Sequence, residues 1–127
     1  FILLSAATVA SVPTFIQAAA VEALKTDPGP LAQVFRRRRE YVCRRLEQMG
    51  LSFPRPDGAF YAFPDIKKYG MTGDEFCTRL ISEGGLAAVP GSCFGGEGHI
   101  RLSYCYSDGE LKESLDRLEQ FIKMLEC

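Results

Sequence analysis

One arginine in the middle of an apolar run is the residue best suited to chemistry in this sequence. Residues 99–105 are HIRLSYC, and strand alternation places Arg101 on the face opposite Ile100 and Tyr104. An unpaired guanidinium there would be costly to desolvate, so Arg101 needs a partner. Its planar fork of donors matches a carboxylate through two parallel hydrogen bonds. The partner is therefore either the carboxylate of a ligand or an internal Asp or Glu.

The other reactive side chains form no recognised constellation. None of the five lysines lies in an apolar surrounding that would favour a neutral amine, so we predict that all are surface residues. They are Lys25, Lys67, Lys68, Lys112 and Lys123. The single histidine, His99, and five cysteines without a C-x-x-C pair predict neither a metal site nor a disulfide framework. Free thiols in a reducing cytoplasm are the expected state.

A glycine-rich segment, residues 91–98, invites comparison with phosphate-binding loops. It has no lysine after its second glycine and no G-x-G-x-x-G spacing. It also leads into a strand, whereas phosphate loops lead into the amino end of a helix. We therefore predict a turn between two strands that uses glycine where positive φ is needed.

A basic cluster precedes this region and could bind an acidic partner. Its members are Arg36, Arg37, Arg38, Arg39, Arg44 and Arg45. We favour a solvated helix face, because most of these residues fall off the apolar stripe and Glu40 can pair with Arg44 at i,i+4. A net charge of −1 likewise suggests neither nucleic acid nor an anionic membrane as partner.

The amino-terminal segment is uncharged as far as residue 21 but does not have the pattern of a signal peptide or a membrane span. No basic residue precedes its apolar run, Pro13 interrupts it, and hydroxyl side chains recur through it. Because the chain begins with Phe1, we expect a segment cut from a longer protein.

The elements that must position Arg101 follow from periodicity, caps and breakers. Helices are predicted from Thr14 to about Thr26, from Pro30 to Met49, after Thr72, and after Ser107. Apolar runs predict strands at 59–63, 86–89 and 99–106. The order predicts an α+β fold in which a small three-stranded, at least partly antiparallel sheet is covered by helices. Residues 1–29 are expected to be the helical end of a preceding domain, and residues 30–127 a domain of their own.

Four motifs, in order, resemble the last third of class I/II aminotransferases of fold type I. Residues 17–24 are similar to the Q-x-A-x-x-A-L helix of that family, and the arginine-rich helix with Arg38 and Leu46 resembles the one that joins its two domains. Residues 56–64 are similar to its P-x-G-A-F-Y-x-F strand. Residues 85–105 resemble its G-[VL]-x-x-x-P-G-x-x-F-G…G-x-x-R-[LI]-S-[YF] signature.

The resemblance implies that Arg101 binds the α-carboxylate of an amino acid or 2-oxo acid, with Gly91, Phe94 and Gly95 shaping the loop and residues 58–63 packing nearby as core. It implies pyridoxal 5'-phosphate, a homodimer and a cytoplasmic location for the parent enzyme. No segment like the family's lysine motif occurs here, so we expect this chain alone to be inactive, to bind no cofactor and to self-associate. A related carbon–sulfur lyase or aminocyclopropane-carboxylate synthase is one alternative. A non-catalytic module that uses the Leu31–Met49 helix is the other.

Overall fold

The computed structural model describes residues 11–126, and the chain divides into two units, residues 1–32 and 33–127. In the first unit, helix α1 (Thr14–Ala23) has no buried residue. The carboxylate of Asp27 then accepts a hydrogen bond of 2.8 Å from the Gly29 amide, where helix α2 (Gly29–Gln48) begins. The predicted boundary between residues 29 and 30 stays a prediction.

In the second unit, α2 continues as an amphipathic helix that ends as predicted. Its buried residues Val42, Cys43 and Leu46 recur at helical spacing. Gly50 follows with a φ of +66°, a left-handed conformation that glycine adopts at the end of a helix without steric cost.

Both remaining helices begin with the predicted capping boxes. Helix α3 (Gly73–Gly84) is capped by Thr72, whose hydroxyl accepts from the Glu75 amide while the Glu75 carboxylate accepts from the Thr72 amide. Helix α4 (Asp108–Leu125) repeats the arrangement with Ser107 and Glu110. Each box satisfies amides that have no partner within the helix, so local sequence alone fixes these two starts.

Three short strands form an antiparallel sheet with the order β1–β3–β2. Strand β1 is Tyr61–Ala62, β2 is Val89–Pro90 and β3 is Ile100–Ser103. In this register, Tyr61 lies opposite Ser103 and Val89 lies opposite Arg101. The predicted α+β class is confirmed, and the sheet is fully antiparallel.

One face of the sheet packs against the three helices of this unit. Ala62, Ile100 and Tyr104 are at most 1% exposed and join the helical side chains in a single core. The helical members include Val42, Leu46, Phe76, Leu80, Leu111, Leu115, Leu118 and Phe121. Burial of this much apolar surface is the main favourable term in the folding of the unit.

Several detailed predictions were wrong. The strand at 59–63 contracts to Tyr61–Ala62, and the positive φ of Ala59 (+57°) is incompatible with a strand that begins at residue 59. The strand at 86–89 shifts to Val89–Pro90. Within residues 11–126, no helix is both long and apolar enough to cross a membrane.

Candidate functional site

Arg101 lies on the middle strand, on the face of the sheet that the helices do not cover. Its neighbours Ile100 and Leu102 point toward the core, and Ile100 is fully buried. Arg101 itself is only partly buried, as is Ser103 two residues later. The predicted alternation along this strand is therefore confirmed, and it follows from the two-residue period of a β-strand.

Two aromatic rings contact the Arg101 guanidinium. Its Cζ atom lies 4.3 Å from the ring centroid of Tyr61 and 4.1 Å from that of Phe94. Tyr61 belongs to the strand on one side of β3, and as the partner of Ser103 it is a diagonal neighbour of Arg101. Phe94 ends a 3-10 turn, Gly91–Phe94, that follows the strand on the other side. Both distances are well within the range of favourable cation–π contacts.

No carboxylate pairs with Arg101 in the described part of the chain, which distinguishes it from the other partly buried arginines. Arg38, Arg39 and Arg45 each have a carboxylate oxygen within 3.2 Å. The internal partner that the sequence left open for Arg101 is therefore not among residues 11–126. The contacts of the Arg101 guanidinium in these residues are the two rings, and none of its N–H donors is used by a carboxylate there.

The aromatic contacts continue along the same face beyond Phe94. Phe94 meets Phe63 edge-on at 6.4 Å between centroids, and the Phe63 ring stacks on His99 at 5.1 Å with an angle of 6° between planes. The His99 Nδ1 lies 2.9 Å from the carbonyl oxygen of Glu97, and its Nε2 lies 3.7 Å from the Asp65 carboxylate. The rings of Phe94, Phe63 and His99 thus form a continuous series of contacts beside Arg101.

The turn that carries Phe94 is held by close backbone contacts. The Gly91 amide donates to the His99 carbonyl at 2.8 Å, and the Gly96 amide donates to the Gly91 carbonyl at 2.9 Å. A Cβ atom at Gly91 would stand 2.7 Å from the His99 oxygen and closer still to that of Gly96. Gly95 and Gly98 have φ values of +72° and +70°, which confirms the predicted glycine turn between two strands.

An open groove with a volume of about 400 Å³ borders Arg101. It lies where residues 86–88 diverge from β3, and α4 contributes apolar side chains to its lining. Residues with polar side chains in its lining include Arg101, Ser103 and Ser114. A mostly apolar concave site with a few polar groups is the usual setting for a small ligand.

The remaining candidates from the sequence have ordinary surroundings. All five lysines are exposed, between 44% and 68%, and each has a carboxylate oxygen within 3.3 Å. Glu40 pairs with Arg39 and Arg55 instead of Arg44, so that predicted pair was wrong. In residues 11–126 no three His, Cys, Asp or Glu side chains group as metal ligands.

The cysteines are free in the described part of the chain and differ in exposure. Cys43 and Cys77 are buried, whereas Cys93 and Cys105 are exposed. Burial raises the pKa of the Cys77 thiol to about 11, with a smaller contribution from the nearby Asp74 carboxylate. A thiol with so high a pKa is almost entirely protonated near neutral pH, so Cys77 is a core residue without nucleophilic character.

Tyr61 and Phe94 are the residues whose role the sequence did not reveal. Both lie in the motifs quoted above, yet we expected one to be core and the other to shape a loop. Their shared contact depends on the register of β1 against β3 and on the turn after β2. A cross-strand diagonal pair leaves no local periodic signal, so only the fold brings these rings together.

The chain matches the family model described as aminotransferase class I and II over residues 2–118. It is 42% identical over 117 residues to an aspartate aminotransferase of Pyrococcus abyssi, a match that covers 87% of this chain and 30% of that protein. It is 45% identical over 111 residues to a probable N-acetyl-LL-diaminopimelate aminotransferase of Bacillus subtilis, covering 84% and 28% respectively. The chain belongs to the class I and II aminotransferase family.

The fold agrees with this assignment. An aspartate aminotransferase of Thermotoga maritima, solved by crystallography, matches with a TM-score of 0.86 and 38% identity. The match covers 94% of this chain and 31% of that one. The chain thus spans about a third or less of the length of the relatives it matches.

Proposed function

We propose that Arg101 binds the carboxylate of an amino acid or 2-oxo acid, and that this chain is the substrate-binding part of an aminotransferase. The whole protein would move amino groups between amino acids and 2-oxo acids. One observation carries the proposal: Arg101 is the only partly buried arginine in residues 11–126 without a carboxylate partner. Membership of the family and the names of the relatives support it.

The chemistry of the guanidinium explains why this residue suits the task. A carboxylate meets the edge of the planar fork through two parallel, charge-assisted hydrogen bonds, which fix orientation as well as position. Fixed orientation matters in amino-group transfer because the bond to be broken at Cα must be aligned before reaction, and alignment lowers the entropic part of the barrier. Arg101 therefore positions the substrate, and the bond-breaking chemistry belongs elsewhere.

The family implies pyridoxal 5'-phosphate in the whole protein, and the residues of this chain do not fit the group. Covalent attachment needs a lysine whose amine is neutral and shielded. Every lysine here is exposed and paired with an acid; the adjacent Tyr69 side chain and a hydrogen bond to Glu126 raise the pKa of Lys68, although partial burial opposes the shift. A hydrogen bond from Lys112 to Asp116 likewise raises the Lys112 pKa. We therefore assign no step of the reaction to a lysine of this chain.

Other features of the whole protein are proposed on narrower support. Relatives of similar identity are named for different amino substrates, so the proposal extends to amino acids and 2-oxo acids as a class. A cytoplasmic location is supported by the free cysteines of the described residues. A homodimeric parent and self-association of this chain stay predictions from the resemblance.

Titration with pyruvate, the simplest 2-oxo acid with a single carboxylate, tests the role of Arg101. We expect the 127-residue chain to bind it and Arg101→Lys to bind it at least ten-fold more weakly, because an ammonium cannot reproduce the bidentate fork. Arg44→Lys is the matched control, since Arg44 is an exposed arginine that also lacks a carboxylate partner in the described residues. Equal affinities in the two variants would show that binding does not depend on the guanidinium of Arg101 and would contradict a specific site.

Borohydride reduction tests whether any lysine of this chain attaches pyridoxal 5'-phosphate covalently. Pyridoxal phosphate is mixed with the chain, the mixture is reduced, and each lysine is examined by peptide mass spectrometry. We expect only slow, scattered modification, as for surface amines. A stoichiometric adduct on one lysine would contradict the account, because it would identify an activated amine in this chain.

A further inference from the structure

We propose that Tyr61 and Phe94 are positioning residues for Arg101: their rings hold the guanidinium plane and so set the direction in which its donors meet a carboxylate. The inference rests on the proposed function of Arg101 and extends it to two residues that act through that side chain. It assigns a task to two exposed or partly buried rings that the core does not use.

The geometry places the guanidinium between the rings. Tyr61 approaches from β1 and Phe94 from the turn after β2, and β3 lies between those two strands. The distances of 4.3 Å and 4.1 Å from Cζ to the two centroids are close to equal. No contact between the Tyr61 and Phe94 rings occurs in the described residues, as expected when the guanidinium separates them.

Rings and acids hold an arginine in different ways. A carboxylate partner occupies the N–H donors at the edge of the guanidinium, whereas an aromatic ring attracts its face through the ring quadrupole. Holding Arg101 by its faces restricts the orientation of the plane and leaves the donors unoccupied. A ligand carboxylate then meets a preorganised fork and pays less of the entropic cost of ordering a long side chain.

Each ring is itself fixed by neighbours. Tyr61 is partly buried, and its ring contacts that of Phe60 at 4.6 Å between centroids. Phe94 is 49% exposed, so burial does not explain its position. Its place follows from the turn that begins at Gly91 and from its edge contact with Phe63. A large apolar side chain that stays half exposed but contacts a cation is more readily explained by that contact than by packing.

The test compares ring-removing with ring-keeping substitutions in the 127-residue chain. Phe94→Leu and Tyr61→Leu remove a ring, whereas Phe94→Tyr and Tyr61→Phe keep it and serve as matched controls. Two quantities are measured for each variant: the affinity for pyruvate and the NMR order parameter of the Arg101 Nε–Hε bond. We expect each leucine variant to lose about five-fold in affinity, the size of one cation–π contact. The order parameter should fall in the same two variants, and both controls should keep wild-type values.

The two readouts separate this inference from the proposed function. If the wild-type chain does not bind pyruvate but the leucine variants still lower the order parameter of the Arg101 Nε–Hε bond, the carboxylate role fails and the positioning role stands. If the leucine variants keep both wild-type values, the positioning role is overturned. A fall in affinity with an unchanged order parameter would also overturn it, because the rings would then act on the ligand directly. Since Phe94 is half exposed, its leucine variant should fold even where Tyr61→Leu does not.

Discussion

Two partly buried arginines, Arg45 and Arg101, are held in opposite ways. Arg45 lies where α2 and α4 meet; it forms an ion pair with Asp116 at 2.8 Å and donates to Glu119 at 3.0 Å and to the Tyr41 hydroxyl at 3.0 Å. Arg101 lies on the uncovered face of the sheet between two rings, with no acid beside it in the described residues. The guanidinium of Arg45 uses its donors within the protein, whereas that of Arg101 has no carboxylate to donate to in the described residues.

Under the proposed function, this difference distinguishes an arginine that stabilises the fold from one that binds a ligand. Removing Arg45 would leave the Tyr41 hydroxyl without its donor and would leave Asp116 and Glu119 with only their lysine partners on α4, so the Arg45 side chain stabilises the contact between two helices. Removing Arg101 would leave no carboxylate of the described residues without a partner. The type of partner thus indicates what each arginine does more clearly than its burial, which is similar for both.

The largest effect is expected from Gly91→Ala. This substitution tests whether the backbone of the turn that carries Phe94 must pass so close to the carbonyl oxygens of His99 and Gly96. The new Cβ would overlap the carbonyl oxygens of His99 and Gly96, so the turn must move. We expect the free energy of unfolding to fall by about 3 kcal/mol in urea denaturation, and pyruvate binding to weaken as well. Gly109→Ala is the control, because its Cβ would meet nothing within 4 Å. Equal stability of the two variants would show that the turn is not under this constraint.

Substituting each arginine by methionine tests whether Arg45 contributes more than Arg101 to the free energy of unfolding. We expect Arg45→Met to lower the free energy of unfolding by about 1–2 kcal/mol, because hydrogen-bonded partners are lost. Arg101→Met should change it by less than about 0.5 kcal/mol, since methionine packs well against aromatic rings and no acid loses a partner. Thermal or urea unfolding measures both, and a larger loss at Arg101 would reverse the assignment.

The pH dependence of stability should differ between the same two variants. Hydrogen bonds from Lys112 and then Arg45 lower the pKa of Asp116, and Lys123 followed by Arg45 lowers that of Glu119. Because these carboxylates bind fewer protons when folded, their contribution is complete above about pH 4.5 and is lost as the pH falls through the lowered pKa values. Melting temperatures should therefore decrease less steeply on acidification in Arg45→Met than in the wild type. In Arg101→Met they should parallel the wild type; a shallower curve there would reveal a hidden acid partner.

The sequence predicted best those features that local chemistry determines. Thr72 with Glu75 and Ser107 with Glu110 specify helix starts within four residues, and both boxes are present. The strand at 86–89 was misplaced because an apolar run does not specify register. Pro90 pairs with Ile100 although it has no N–H, and the flanking Gly91 amide makes the hydrogen bond to His99 instead.

The candidate site was predictable only in the part that local sequence determines. Alternation along the strand and the ordered motifs identified Arg101 as a carboxylate ligand, and that role stays a prediction. What the sequence left open was whether an internal acid would pair with it. The answer depends on which side chains the sheet brings beside β3, and those come from Tyr61 and Phe94, 40 and 7 residues away by chain numbering.

The most direct test observes both arginines in one spectrum. The Nε–Hε signals of Arg45 and Arg101 are assigned in the ¹⁵N-labelled 127-residue chain, and pyruvate is added at constant ionic strength. We expect the Arg101 signal to shift and saturate while the Arg45 signal stays in place, since the donors of Arg45 are already occupied. A stationary Arg101 signal, or equal shifts of both, would contradict the claim that Arg101 is kept for a ligand carboxylate.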